Sequence, residues 1–216
     1  MPKIYLVHAM APSMAPIEAS FSKLWPQPRL AHLLEDSLPA DLKQEGRLTD
    51  AMIARFRDLG RYCVSAGADA ILFSCSAFGP AIDAVKRDQK IPVLKPNEAL
   101  YDELVAAGGR AALLATFPPS LPSMVAEIEA HALKAGAKLE VRTCLVEGAL
   151  DALTRGDAEA HNRLIAEAAL AYADCESIAF AQFSMAPAAT LAQARLGRSV
   201  LTTPDSAVRK LKALMA

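Results

Sequence analysis

Short runs of apolar residues recur along the chain, separated by longer stretches whose apolar positions fall three and four apart. "KIYLVHA" (3–9), "DAILFSCSA" (69–77), "RAALLAT" (110–116) and "SIAFAQFS" (177–184) are apolar on successive residues. That is the pattern of strands buried on both faces, as in the middle of a parallel sheet. "LAHLLEDSLP", "IPVLKP", "KLEVRTCLV" and "SVLTTP" are weaker strands, the first with a polar exit. In "LTDAMIARFRDLGRYCVSAGA", Met52, Ile53, Phe56, Leu59 and Cys63 lie at helical spacing. Thr49 or Asp50 would cap this helix and Gly67 would stop it. Further helices are expected in "PAIDAVKRD", "NEALYDELVAAG", "SMVAEIEAHALKAG", "DAEAHNRLIAEAALAYA", "PAATLAQARL" and "DSAVRKLKALM". The Pro- and Ser-rich "MAPSMAPIEASFSKLWPQP" reads as a long loop, with Trp25 near the cleft mouth or at an interface. Strand and helix in alternation predict an α/β chain with mostly parallel sheet.

The pattern repeats at one spacing. Lys3 to Ser13 lies over Arg110 to Ser120, and Asp69 to Pro80 over Glu176 to Pro187, both at an offset of 107 residues. "PNEA" at 96–99 lies over "PDSA" at 204–207, at an offset of 108. One offset held across separated segments points to duplication. The expectation is two similar lobes, residues 1–105 and 106–216, with Gly108 and Gly109 near their boundary and the last helix free to pack back onto the first lobe. Each lobe would be a mostly parallel sheet flanked by helices, the two related by a pseudo-twofold axis with the site between them. Ligands of parallel sheets gather beyond the carboxyl ends of the strands. There the repeat sets Cys75, in "FSCSAFGP", against Gln182, in "FAQFSMAP". A shift of two residues would bring Ser184 opposite Cys75 instead, at the expense of the match of Ile71, Phe73 and Pro80 with Ile178, Phe180 and Pro187.

Composition removes several alternatives. A net charge of −1 with scattered basic residues gives no nucleic-acid footprint. No apolar run reaches the length of a membrane span. The opening "PKIYLVHAM" lacks the features of a signal peptide and reads as the first strand, so a cytoplasmic protein is expected. Cys63, Cys75, Cys144 and Cys175 form no CxxC pair and no zinc-like spacing, so reduced thiols and no metal are expected.

In this order and spacing, the strand ending in Cys75, the "ALLATFPPS" loop, the "ESIAFAQFSMA" strand and the closing "VLTTPDSAV" resemble the aspartate/glutamate/hydantoin racemase family over the whole chain. That resemblance implies a cofactor-independent enzyme that moves a proton at the carbon beside a carboxylate, using two cysteine thiols. Backbone N–H groups at loop and helix N-termini would hold the carboxylate and the developing enolate, and would lower the thiol pKa. Cys75 matches the first cysteine. Gln182 occupies the place of the second, and an amide neither gives nor takes a proton near neutral pH. The resemblance makes Cys75 and Gln182 the catalytic pair. It gives substrate contacts to His8, Ser76, Ala77, Thr116, Ser120, Phe183 and Ser184, with Asp36 and Ser37 as weaker candidates at the end of the second strand. Glu98 and Asp205 are expected to open helices, and His32, His131 and His161 to be ordinary helix or surface residues. Racemisation of a small carboxylate or amino-acid derivative is the leading expectation. One-thiol decarboxylation, as in the arylmalonate decarboxylase relatives, isomerisation, as in the maleate isomerase relatives, and simple carboxylate binding are the alternatives. The resemblance also implies a dimer or larger homo-oligomer.

Overall fold

A computed structural model describes all 216 residues. They form two compact units, one of residues 1–98 with 207–216 and one of residues 99–206. The chain passes between them at Glu98–Ala99 and returns at Ser206–Ala207, with the Gly108–Gly109 pair inside the second unit.

The first unit contains β1 (Lys3–His8), α1 (Met14–Leu24), β2 (Arg29–Leu34), α2 (Leu38–Glu45), α3 (Asp50–Ser65), β3 (Ala70–Phe73), α4 (Gly79–Asp88) and β4 (Val93–Leu94). Its four strands are parallel, in the order β2-β1-β3-β4. The elements that follow are α5 (Glu98–Ala107), β5 (Gly109–Ala115), α6 (Leu121–Ala135), β6 (Leu139–Leu145), α7 (Ala149–Thr154), α8 (Ala158–Leu170), β7 (Ser177–Phe180), α9 (Ala189–Leu196), β8 (Leu201–Thr202) and α10 (Thr203–Leu214). The second sheet is again parallel, in the order β6-β5-β7-β8. The fold is therefore α/β with two like sheets, as the alternation of patterns indicated.

The duplication is written into the hydrogen bonds. β1 meets β3 with Ile4 beside Ala70 and Val7 beside Phe73. β5 meets β7 with Ala111 beside Ser177 and Leu114 beside Phe180, the same pairs moved by 107. The Lys3 N–H donates to Asp69 at 2.7 Å, and the Arg110 N–H to Glu176 at 2.7 Å. Past the strand ends, Ser74 N–H donates to the Val7 carbonyl and Ala181 N–H to that of Leu114. This ladder makes Gln182 the counterpart of Cys75 and leaves Ser184 two residues out of register.

Each sheet is buried under helices. On one face of the first, Phe56 of α3 packs on Phe73 and Phe78, with ring centroids 5.5 and 5.0 Å apart. Thr49 caps α3 by accepting from the Met52 N–H. Gly60 lets α3 and α4 approach, since a Cβ there would lie 2.5 Å from Val85 Cγ1. In the second unit, Leu100, Tyr101 and Leu104 of α5 pack with Leu113 of β5 and Ile128 of α6.

Three expectations are corrected. The segment after β1 is not a long loop: Ala11–Ser13 make one 3-10 turn and α1 follows directly. Its prolines fall where a helix tolerates them, in the turn and in the first turn of α1. Trp25 ends α1 buried, stacked on Phe21 with centroids 6.0 Å apart. The histidines are not alike. His131 lies on α6 beside Asp102, but His161 is buried, and His32 lies half-buried on β2. Glu98 and Asp205 do stand in the first turns of α5 and α10. No helix is long and apolar enough to cross a membrane.

Candidate functional site

Cys75 lies two residues beyond β3. Strand alternation puts it on the face of Ile71 and Phe73, and it packs at the edge of their apolar cluster. Ser76–Phe78 then make a 3-10 turn that runs into α4. The turn brings the Ala77 N–H to the sulfur, which draws the thiol pKa down. Crowding by protein pushes it up by more, so the net shift is upward. The expected lowering is thus not found, because a single N–H reaches the sulfur and burial outweighs it. Ser76 and Ala77 are half-buried in this turn.

At the equivalent place in the second unit, Gln182 is tied to the end of β5. Its Oε1 accepts from the Thr116 N–H at 2.6 Å and from the Thr116 hydroxyl at 2.9 Å. A backbone N–H can only donate, so the atom facing it must be the amide oxygen. The Nε2 can then only donate. Thr116 is buried, and its counterpart in the first unit is Ala9, also buried. Ser120 closes its own turn by donating to the Phe117 carbonyl at 2.7 Å, as Ser13 does to Met10 at 2.7 Å. Phe183 is buried, and the Ser184 carbonyl lies 3.2 Å from His161 Nε2. Of the residues singled out in this unit, the structure joins Thr116 to Gln182 directly. Ser120 closes its own turn, and Ser184 meets His161 through its carbonyl.

His8 ends β1 with 1% of its surface exposed. It does not stand alone. Its Nδ1 is 3.0 Å from Ser13 Oγ and 2.8 Å from Ser74 Oγ, and its Nε2 is 3.1 Å from His32 Nδ1. His32 Nε2 lies 2.9 Å from Glu18 Oε1, ion-pair distance without the alignment of a hydrogen bond. Burial, and then the neighbouring His32, lower the His8 pKa from 6.5 to about 4. Ser13, Ser74, His32 and Glu18 are polar partners that sequence reasoning missed. The alternation of β3 was the available signal, since it places Ser74 on the opposite face from Cys75, beside the end of β1. Asp36 is exposed, and Ser37 is engaged by Glu35 and Arg55, both at 2.7 Å.

The two strand ends therefore carry polarity on opposite faces. The first unit has His8, Ser13 and Ser74 on one face and Cys75 on the other. In the second unit the equivalents of His8 and Ser74 are Ala115 and Ala181, and the polar pair is Thr116 with Gln182.

The family model for Asp/Glu/Hydantoin racemase matches residues 38–211. The chain belongs to this family. Among solved structures, an aspartate racemase homologue from Pyrococcus horikoshii OT3 superposes with a TM-score of 0.69 at 18% identity, covering 99% of both chains. A glutamate racemase isoform from Bacillus anthracis gives 0.69 at 10% identity, covering 99% of this chain and 81% of that one. Arylmalonate decarboxylase gives 0.65 at 17% identity, covering 100% and 93%. These likenesses concern the fold. No curated protein matches the chain.

Proposed function

We propose that the protein is a cofactor-independent enzyme acting on a small carboxylate or amino-acid derivative through the Cys75 thiol. The observation that carries this reading is the pairing of repeat positions: a crowded thiol at the end of β3, and at its counterpart an amide locked as a donor. Membership of the racemase family makes proton transfer beside a carboxylate the first reaction to consider. Cys75 is the group that exchanges the proton. Gln182 Nε2 and nearby backbone N–H groups hold the carboxylate and the negative charge that develops on it, while Thr116 fixes the amide by donating to its oxygen. Ser76, Ala77, Ser120, Phe183 and Ser184 shape the surroundings.

A second reading is favoured by the raised thiol pKa. A thiol that rests protonated is better suited to giving a proton than to taking one from a weak carbon acid. Decarboxylation first creates the enediolate and then needs one acid, which one thiol can supply. Arylmalonate decarboxylase is among the structural neighbours.

One experiment separates these readings. The protein is incubated in deuterated water with amino acids, hydantoins, malonates and maleate. Racemisation puts deuterium on the alpha carbon of both enantiomers, whereas decarboxylation releases carbon dioxide with one deuterium on the product. Cys75→Ser is expected to lower either rate at least a thousandfold, by analogy with the loss of other nucleophiles and bases. Turnover unchanged in that variant would remove the thiol from the mechanism. A carboxylate that raises the melting temperature without any turnover would make this a binding protein.

A further inference from the structure

Glu18, His32, His8 and Ser74 form a chain of contacts of 2.9, 3.1 and 2.8 Å, running from a half-exposed carboxylate on α1 to a hydroxyl next to Cys75 in sequence. The two rings are 12° from parallel with centroids 5.2 Å apart. They meet edge to edge, as an in-plane N–H···N bond requires. The positions of the protons follow from counting donors. Ser13 gives its proton to the Met10 carbonyl, so its oxygen can only accept from His8 or Ser74.

With His32 neutral, its single N–H is assigned to Nε2, which lies 2.9 Å from the Glu18 carboxylate at ion-pair distance. Its Nδ1 is then bare and accepts from His8 Nε2–H. His8 Nδ1 is bare in turn, and the Ser74 hydroxyl donates to it, while the Ser13 oxygen, 3.0 Å away and with its proton on Met10, faces that nitrogen unbridged, a repulsion the other arrangement relieves. Add one proton and the two bonds along His32–His8–Ser74 reverse. His32 carries N–H on both nitrogens, and its Nδ1–H donates to a bare His8 Nε2. His8 holds its one proton on Nδ1 and donates to Ser74 and Ser13, which frees the Ser74 proton. His8 is neutral in both arrangements, as its burial demands. The titratable groups set against His32 are His8 from β1 and Glu18 from α1. Ser13 and Ser74 carry no charge.

We propose that these four residues are a reversible proton relay, in which a proton received by Ser74 reappears as the charge on His32. A proton passes from a bound molecule to Ser74 Oγ as Ser74 gives its own to His8 Nδ1, and His8 gives its Nε2 proton to His32 Nδ1. Three bonds to hydrogen break and three form. The charge comes to rest beside Glu18, and the reverse sequence returns it. The relay rests on the first unit alone, and its use as a second proton source for the substrate rests on the function proposed above. His32 is a positioning residue that acts through His8.

The test is a pH titration of the full chain, with the histidine ring nitrogens observed by 15N NMR. The expected result is that His8 stays neutral and moves its proton from Nε2 to Nδ1, with the same midpoint as protonation of His32. Glu18→Gln removes the carboxylate that faces the charged ring and is expected to move that midpoint down. His32→Gln is expected to leave the His8 tautomer independent of pH. A His8 that keeps Nε2–H throughout, or that becomes doubly protonated with His32, overturns the relay. So does a midpoint unmoved by Glu18→Gln, which holds even if the His32 variant does not fold. A protein that shows the switch but turns over no carboxylate refutes the assigned reaction and leaves the relay standing. Turnover without the switch refutes the relay alone.

Discussion

At the scale of single residues, two side chains hold unusual states for opposite reasons. Burial keeps Cys75 protonated and keeps His8 unprotonated, because each avoids its charged form. For His8 the consequence for stability has a definite sign. Its folded pKa of about 4 is below the 6.5 of the unfolded chain, so the unfolded state takes up the proton first. The contribution is complete above pH 6.5 and is lost as pH falls toward 4. Between pH 6.5 and 5 the loss is about 2 kcal/mol. Urea unfolding at these two pH values should show it, and His8→Gln should flatten the difference. On the other unit, Thr116→Val removes one of the two bonds that hold the Gln182 oxygen. A net hydrogen bond is worth about 1 kcal/mol, so KM for a carboxylate substrate is expected to rise about fivefold with kcat little changed. A KM that stays put would mean that Gln182 does not hold the substrate. Cys75 and Gln182 were legible in the sequence because the repeat aligned them. The partners of His8 were not, since Glu18 lay in a stretch read as loop and His32 in a strand too weak to assign faces.

Among elements, the strands were the most legible, because burial on both faces leaves unbroken apolar runs such as "AILF". Helices were legible where their apolar positions had room to repeat. The missed ones fail that test in different ways. α1 hides behind prolines whose position in the first turn is harmless. α2 has eight residues and one buried side chain, Leu38, and α7 has six residues in all. Contact between helices was not legible either. Gly60 looks like a weak point in α3 by propensity, yet it is where α4 comes closest. Gly60→Ala would gain helix propensity on the surface of a protein. Here the added methyl meets Val85, whose short branched side chain cannot swing away. A net destabilisation of about 1–3 kcal/mol is expected, read as a fall in the urea midpoint. Pairing it with Val85→Ala should restore part of the loss, and no recovery would show that the clash is not the cause.

For the whole molecule, the repeat predicted two like sheets, and the shared ladder offset of 107 residues bears this out. An apolar face does not name its partner, so the sequence left the last helix free to pack back onto the first lobe without deciding it. Ala207, Val208 and Leu211 of α10 are fully buried, and residues 207–216 belong with residues 1–98. A chain ending at residue 206 should therefore be weakened in its N-terminal unit, far away in sequence. Burying one Val and one Leu is worth about 4 kcal/mol together. Hydrogen exchange should rise in β1 and β3 of the shortened chain, and unchanged protection there would contradict this assignment.

The exchange of helices also bears on how such a chain could have arisen. A single ancestral repeat, ending where α5 ends, would carry Leu100, Tyr101 and Leu104 on a helix whose apolar partners belong to the next copy. Such a peptide could not satisfy its own last helix. Two copies could, each lending that helix to the other, as a domain-swapped homodimer. Gene fusion would then have joined two chains that already completed one another, and only afterwards could their strand ends diverge into a thiol and an amide.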